Sequence, residues 1–264
     1  MIENKKEFKL ITKKNPKSLL PNTLTIIGVC LGLSSIKFAI DTNYSMSIIA
    51  IGFAAILDTL DGRVARLIKG TSKVGKELDS LTDVISFGVA PGFIMYYWAL
   101  NEIGKFGWMF VLIYTVCCAL RLARFNLTEI NEHENWKINF FEGVPSPAAA
   151  GLVLLPLILN LSGLFDFKNY AMVASVTMLI VSILMISKIP TYSFKRILIP
   201  RNLTIFLLLG VGVYLSLVIF YTFETLFVTG LVYMVLIPIS YFHYIRKNKK
   251  TLITSDGEID EDIL

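Results

Sequence analysis

The sequence predicts an all-α polytopic membrane bundle of about eight transmembrane helices, with both termini in the cytoplasm. Three observations lead there. Hydrophobic residues make up 55% of the 264-residue chain and charged residues only 17%, against roughly 25% charged in ordinary soluble domains. The apolar residues fall into eight runs of about 18–23 residues, the length a helix needs to cross the hydrocarbon core. The basic residues, finally, divide unevenly between the connections.

The runs cover approximately 19–40, 45–67, 79–100, 106–126, 146–163, 169–187, 203–222 and 226–244. Before them lies a basic cytoplasmic segment, 1–18, with Lys5, Lys6, Lys9, Lys13, Lys14 and Lys17. The first run is too long for a signal-peptide core and has no small-residue cleavage site, so it reads as a retained span. With residues 1–18 placed inside, the outward connections near 41–45, 101–105, 164–168 and 223–225 hold or adjoin only Lys37, Lys105 and Lys168. All other Lys and Arg fall on the inner side, as the positive-inside rule requires. The transmembrane domain so defined is 19–246. Residues 247–264 form a cytoplasmic tail whose end, Asp256 to Leu264, is acidic and expected to be disordered.

Several function classes recede at this point. The net charge of +5 on a membrane protein points to anionic lipid headgroups, not to nucleic acid. Cys30, Cys117 and Cys118 lie in apolar runs and read as reduced, buried thiols. His133 and His243 are far apart in polar stretches and suggest no metal site.

The chemistry concentrates between Asp58 and Asp83. The stretch reads Asp58-Thr-Leu-Asp61-Gly62-Arg63-Val-Ala65-Arg66, then eight residues to Gly75, then Asp79 and Asp83. Asp58 and Asp61 are three apart and share one helical face. Asp79 and Asp83 are four apart and share another. The second and third spans are adjacent and antiparallel, joined by a short polar loop, so the two acidic faces can meet at the cytoplasmic end of the bilayer. Converging carboxylates repel, and divalent cations relieve that repulsion. With no His or Cys nearby, the donor set suits Mg²⁺ or Mn²⁺, and two such ions can clamp the phosphates of a nucleotide-type donor. Asp58 and Asp61 taken alone would equally fit an ion relay or ion pairs with Arg63 and Arg66.

The full spacing, eight fixed positions long, resembles the motif of the CDP-alcohol phosphatidyltransferases, and every fixed position is present. The resemblance implies that Asp58, Asp61, Asp79 and Asp83 bind two Mg²⁺ or Mn²⁺ ions, with Asp79 shared and Asp83 also the general base. It further implies that Gly62, Ala65, Arg66, Ser72 and Gly75 serve the CDP-diacylglycerol donor. Gly62 would let the nucleotide approach the backbone where a Cβ would obstruct it. Pro21-Asn22-Thr23-Leu24-Thr25 resembles the family's cytidine-cupping element, with Asn22 and Thr25 as donor contacts.

Further blocks look like the serine-using branch of that family: Glu77 to Pro91, Ala119 to Asn126, Gly143 to Ala148 and Ser187 to Tyr192. The implied reaction transfers the phosphatidyl group from CDP-diacylglycerol to the hydroxyl of L-serine, giving phosphatidylserine and CMP. The resemblance also implies a homodimer among membrane lipids, in a bacterial-type cytoplasmic membrane with the active site facing the cytoplasm. Arg121 and Arg124 are three apart near the inner end of the fourth span. They are candidate acceptor contacts, because a guanidinium fork suits a carboxylate. Two alternatives stay open: the same chemistry on glycerol 3-phosphate or inositol phosphate, and an ion-coupled transporter. Gly28 and Gly32 form a GxxxG pair expected to support close helix packing within or between chains. Pro145-Ser146-Pro147 reads as the start of the fifth span. The last two spans carry no usable motif.

Overall fold

The computed structural model describes residues 19–68, 73–128, 140–165, 168–192 and 203–261. The N-terminal lysines, Ser72 and His133 lie outside the described residues. Among the described residues nine α-helices follow in order: α1 (Leu19–Ile40), α2 (Tyr44–Leu67), α3 (Lys73–Asp83), α4 (Ala90–Trp98), α5 (Lys105–Thr128), α6 (Ser146–Leu161), α7 (Tyr170–Ile186), α8 (Thr204–Phe220) and α9 (Thr222–Glu261). A π-helical turn, Val84–Val89, joins α3 to α4, so those three pieces form one rod. Eight rods therefore match the eight apolar runs in order.

Among the described residues four rods are both long and apolar enough to cross a bilayer: Leu20–Ile40, Val74–Trp98, Lys105–Leu127 and Thr222–Ile245. The chain is a membrane protein on that ground. The other four differ from the expectation. α6, α7 and α8 have 16, 17 and 17 residues, about 24–26 Å at 1.5 Å per residue, short of the roughly 30 Å core. α2 has 24 residues but carries Asp58, Asp61, Arg63 and Arg66 in its second half. At the C-terminus, α9 continues as helix to Glu261, where the sequence suggested a disordered tail; no proline after Pro238 interrupts it.

Polar residues at the turns set the helix starts. Asn43 accepts a bond from the Met46 amide at 3.3 Å and caps α2. Asn169 does the same for Met172 at 2.9 Å and caps α7. α6 is the central helix. Ala149, Ala150, Leu152, Val153, Leu154 and Leu157 are all nearly inaccessible, packed among α4, α7 and α9. α8 lies at the periphery, packs on α9 and leaves its apolar side chains exposed, as lipid contact allows.

The π-helical turn has a chemical cause. Pro91 has no N–H and cannot donate to Phe87 O, four residues back. The Tyr114 hydroxyl, from α5, donates to that carbonyl instead, at 2.8 Å. The Ala90 amide reaches back five residues to Ile85 O. One extra residue in a helix turns everything beyond it by about 100°. The turn thus lets α3 aim Asp79 and Asp83 at α2 while α4 aims Ile94 and Met95 at the core.

α1 packs along both α2 and the α3–α4 rod. It approaches the π-helical turn so closely that a Cβ at Gly32 would lie 2.5 Å from Ser86 Oγ and 3.0 Å from Ser86 Cα. Ser86 Oγ in turn donates to Gly28 O at 3.3 Å. The GxxxG pair therefore serves packing within the chain.

The bundle is not wholly helical. Phe140–Glu142 (β1) and Pro190–Tyr192 (β2) pair antiparallel, Phe141 opposite Thr191. Helical periodicity cannot announce three-residue strands. Gly143 follows β1 at φ +74°, with a would-be Cβ 2.7 Å from Met185 O and 2.8 Å from Ser187 O, so only glycine fits there. Its amide donates to Ile189 O at 2.9 Å, and Thr191 Oγ1 donates to Gly143 O at 2.8 Å. The ribbon thus clamps the start of α6 to the end of α7.

Gly32→Ala tests the close approach. The added methyl should destabilise the protein by about 1–3 kcal/mol, the usual cost of overpacking. It is read as a lower melting temperature in detergent, with partial recovery in Gly32→Ala/Ser86→Gly. An unchanged melting temperature would show that α1 does not seat as described.

Candidate active site

The last turns of α2 and the length of α3 bring the acidic residues together. Asp58, Asp61 and Asp79 each offer a carboxylate oxygen, and these oxygens lie within 4.8 Å of one another. Asp61 is buried and Asp58 and Asp79 half-buried. Asp83 stands beside Asp58, within side-chain hydrogen-bonding reach. Its Oδ1 is buried with no hydrogen-bond partner. The expected meeting of two acidic faces is therefore what the fold produces, with Asp83 on the inner flank.

No ion pair joins Asp58 or Asp61 to Arg63 or Arg66. Both arginines are exposed, and Arg66 Nε donates to Gly62 O at 3.0 Å, along its own helix. Self-compensation of these two carboxylates by the motif's arginines is thus not the arrangement present. An oxygen-only donor set and a buried partnerless carboxylate oxygen on Asp83 fit a hard divalent cation.

The remaining expected donor contacts take varied positions. A Cβ at Gly62 would meet nothing within 4 Å, so the backbone there is open to a ligand. Ala65 is half-buried one turn on, and Gly75 lies in the first turn of α3. Asn22 is half-buried in the first turn of α1. Thr25 is buried and commits its hydroxyl inward, 2.7 Å from Asp61 Oδ2 and 3.0 Å from Pro21 O. It orients a carboxylate, a role the sequence comparison with a cytidine cup did not suggest. Ser72 falls outside the described residues.

The two arginines of α5 separate in use. Arg124 donates from Nη1 to Ile186 O at 2.7 Å and from Nη2 to Ser187 O at 3.3 Å. It satisfies carbonyls that the end of α7 leaves open. Arg121 is 7% exposed and turns into the bundle. Its Nη1 donates to Ser146 Oγ at 2.9 Å, and its Nε is buried without a partner. Arg121 acts electrostatically on Asp83, yet no ion pair forms between them. Ser146 and Tyr233, both near Arg121, and Thr191, beside Tyr233, are not marked as site residues by the sequence. Ser146 reads there as a helix start, Thr191 as part of a block without a role, and Tyr233 gives no signal at all.

The match to known proteins agrees with this geometry. Residues 18–188 match the family model described as CDP-alcohol phosphatidyltransferase. The chain belongs to the CDP-alcohol phosphatidyltransferase family. Among its relatives is a CDP-diacylglycerol–serine O-phosphatidyltransferase from Mycobacterium leprae, 35% identical over 221 residues, 83% of this chain and 73% of that protein. One of the same name from Helicobacter pylori is 38% identical over 84% of this chain and 90% of its own. A Bacillus subtilis protein, again so named, is 32% identical over 67% of this chain and 92% of its own.

As a member of this family, the protein should respond to divalent cations even without substrate. Mg²⁺ or Mn²⁺ at about 100 times its dissociation constant stabilises a folded protein by about 2.7 kcal/mol, several degrees in melting temperature. Asp79→Asn should abolish that rise. A rise of equal size in the variant would place the cation elsewhere.

Proposed function

We propose that this protein transfers the phosphatidyl group of CDP-diacylglycerol to the hydroxyl of L-serine, releasing CMP and forming phosphatidylserine. The observation that carries the reading is the acidic cluster with an inward-facing arginine beyond it. Asp58, Asp61, Asp79 and Asp83 lie together, and Arg121 acts electrostatically on Asp83 without forming an ion pair with it. The names of the relatives point the same way.

In this reading Asp58, Asp61, Asp79 and Asp83 hold two divalent ions, Mg²⁺ or Mn²⁺. When bound, those ions neutralise the donor diphosphate and make CMP a better leaving group. Thr25 keeps the Asp61 carboxylate turned toward the cluster. The open backbone at Gly62 admits the diphosphate side of the donor, and Arg66 can swing from its carbonyl contact to a phosphate. The diacyl tails stay in lipid, because the cluster lies at the polar end of two apolar rods. Asp83 accepts the proton as the serine oxygen attacks the lipid-side phosphorus. The P–O bond to CMP then breaks, and CMP departs with the electron pair. Arg121 receives the serine carboxylate, which aims the hydroxyl. A phosphorylated acceptor would call for more basic side chains there; Arg121 acts on Asp83, and Arg124 beside it is spent on the α7 carbonyls.

CMP release by purified protein with CDP-diacylglycerol and different alcohols tests the acceptor. Serine should react far faster than ethanolamine, which lacks the carboxylate, because the buried positive charge would stay unpaired. Arg121→Lys should narrow that difference, since a point charge does not reproduce the fork. Equal rates for serine and ethanolamine in the wild type would sink the assignment. A preference for glycerol 3-phosphate would move the protein to a neighbouring acceptor class.

The same proposal has eight crossings, both termini and the site in the cytoplasm. The distribution of Lys and Arg supports it. A cysteine introduced at Ser72, with Cys30, Cys117 and Cys118 replaced, should react with an impermeant thiol reagent only after cells are opened. Labelling of intact cells would reverse the topology.

A further inference from the structure

Buried side-chain atoms without a hydrogen-bond partner are uncommon in folded proteins and call for an explanation. Among the described residues they are Asp83 Oδ1, Arg121 Nε, Tyr233 Oη and Ser240 Oγ. Three of the four share one neighbourhood. Arg121 lies within electrostatic reach of both Asp83 and Tyr233. It belongs to α5, Asp83 to α3 and Tyr233 to α9. The orphans therefore converge from three separate rods.

The surroundings of Tyr233 limit what it can do there. Its ring is half-buried and its hydroxyl is sealed from solvent. Thr191, in β2, lies beside that hydroxyl, but Thr191 spends its own proton on Gly143 O at 2.8 Å. Thr191 Oγ1 could therefore only accept from Tyr233, and the two do not form a hydrogen bond. Arg121 has Nη1 fixed on Ser146 Oγ, which holds the guanidinium still while Nε stays uncommitted. Two partnerless donors, Arg121 Nε–H and Tyr233 O–H, thus stand in one buried neighbourhood with a partnerless acceptor, Asp83 Oδ1.

That set is the complement of a small molecule with a carboxylate at one end and a hydroxyl at the other. A carboxylate has two oxygens and can take both donors, while its hydroxyl faces the carboxylate of Asp83. Leaving the donors unpaired is costly in so enclosed a place, so an acceptor that lacks the carboxylate is disfavoured twice, once at each donor.

We propose that Tyr233 is the second carboxylate-binding residue of the acceptor site, so that α9 takes part in choosing the acceptor. This rests on the serine-transferase reading above and deepens it. Residues 18–188 are the part that matches the family at large, and Tyr233 lies well past that boundary. Acid chemistry then belongs to the shared part, and part of the acceptor preference to a helix outside it.

The test is CMP release by full-length protein in lipid nanodiscs, with serine and CDP-diacylglycerol varied separately, for wild type, Tyr233→Phe and Tyr233→His. Removing the hydroxyl should raise KM for serine about tenfold or more, the size of one lost hydrogen bond to a charged group. KM for CDP-diacylglycerol and kcat at saturating serine should stay within about twofold, and the preference for serine over ethanolamine should fall with the serine affinity. Tyr233→His, which keeps a donor, should recover part of the serine KM. A serine KM unchanged in Tyr233→Phe overturns the proposal. So does a fall in kcat with both KM values unchanged, which is what a packing role would give. A wild type that releases no CMP with serine overturns this proposal together with the functional reading. A serine-dependent wild type with an indifferent Tyr233→Phe overturns this proposal alone.

Discussion

Four carboxylates gathered at the polar end of apolar helices repel one another, and the rest of the structure is arranged around holding them there. Neither Arg63 nor Arg66 neutralises Asp58 or Asp61. The cluster must be kept together by the packing of the rods that carry it. α1 supplies much of that packing, since it touches α2 on one side and the α3–α4 rod on the other. Its Gly32 lets the two backbones close to a distance that any side chain would forbid, and its Thr25 reaches across to grip Asp61. Pro91, several residues beyond the cluster, imposes the π-helical turn that gives α3 and α4 their different facings. Packing energy spread over many apolar contacts thus sustains an electrostatically unfavourable arrangement, a common condition of sites built to bind highly charged ligands.

What the sequence made legible follows from which signals are local. Asp58, Asp61, Asp79 and Asp83 are readable because three- and four-residue spacings fix a helical face, and a short loop fixes the antiparallel pairing. The rods are readable because apolar length in a membrane protein is dictated by the bilayer. The shortness of α6, α7 and α8 is less so: residues in the flanking turns are apolar too, and the helices stop at geometric features such as the β1–β2 ribbon after α7. That ribbon is a contact between segments some fifty residues apart in sequence, and no local period encodes it. Thr25 illustrates a subtler limit. Its position near the donor end was legible, but the partner of its hydroxyl depends on how α1 lies against α2.

Arg121 and Arg124 make the same point within a single helix. Three residues apart, they share a face by the usual count, and their chemistry is identical. Yet one is drawn onto the carbonyls at the end of α7 and the other into the interior. What separates them is the level at which each meets its neighbours. Arg124 comes level with the exposed end of α7, where carbonyls lack donors. Arg121 comes level with the start of α6, where Ser146 holds it. Sequence specified the pair; the staggering of the surrounding helix ends divided their tasks.

The placement of Tyr233 on the last helix has a consequence for the time course of synthesis. Chains are made from the N-terminus at roughly 5–20 residues per second. The acidic cluster is complete once Asp83 has emerged, while Tyr233 follows on the order of ten to thirty seconds later at such rates. For that interval the nascent protein has its acidic cluster in the bilayer but lacks the wall that α9 lays against α6 and β2. An enzyme finished in this order acquires its charged cluster first and, on the proposed role of Tyr233, the last part of its acceptor site afterwards.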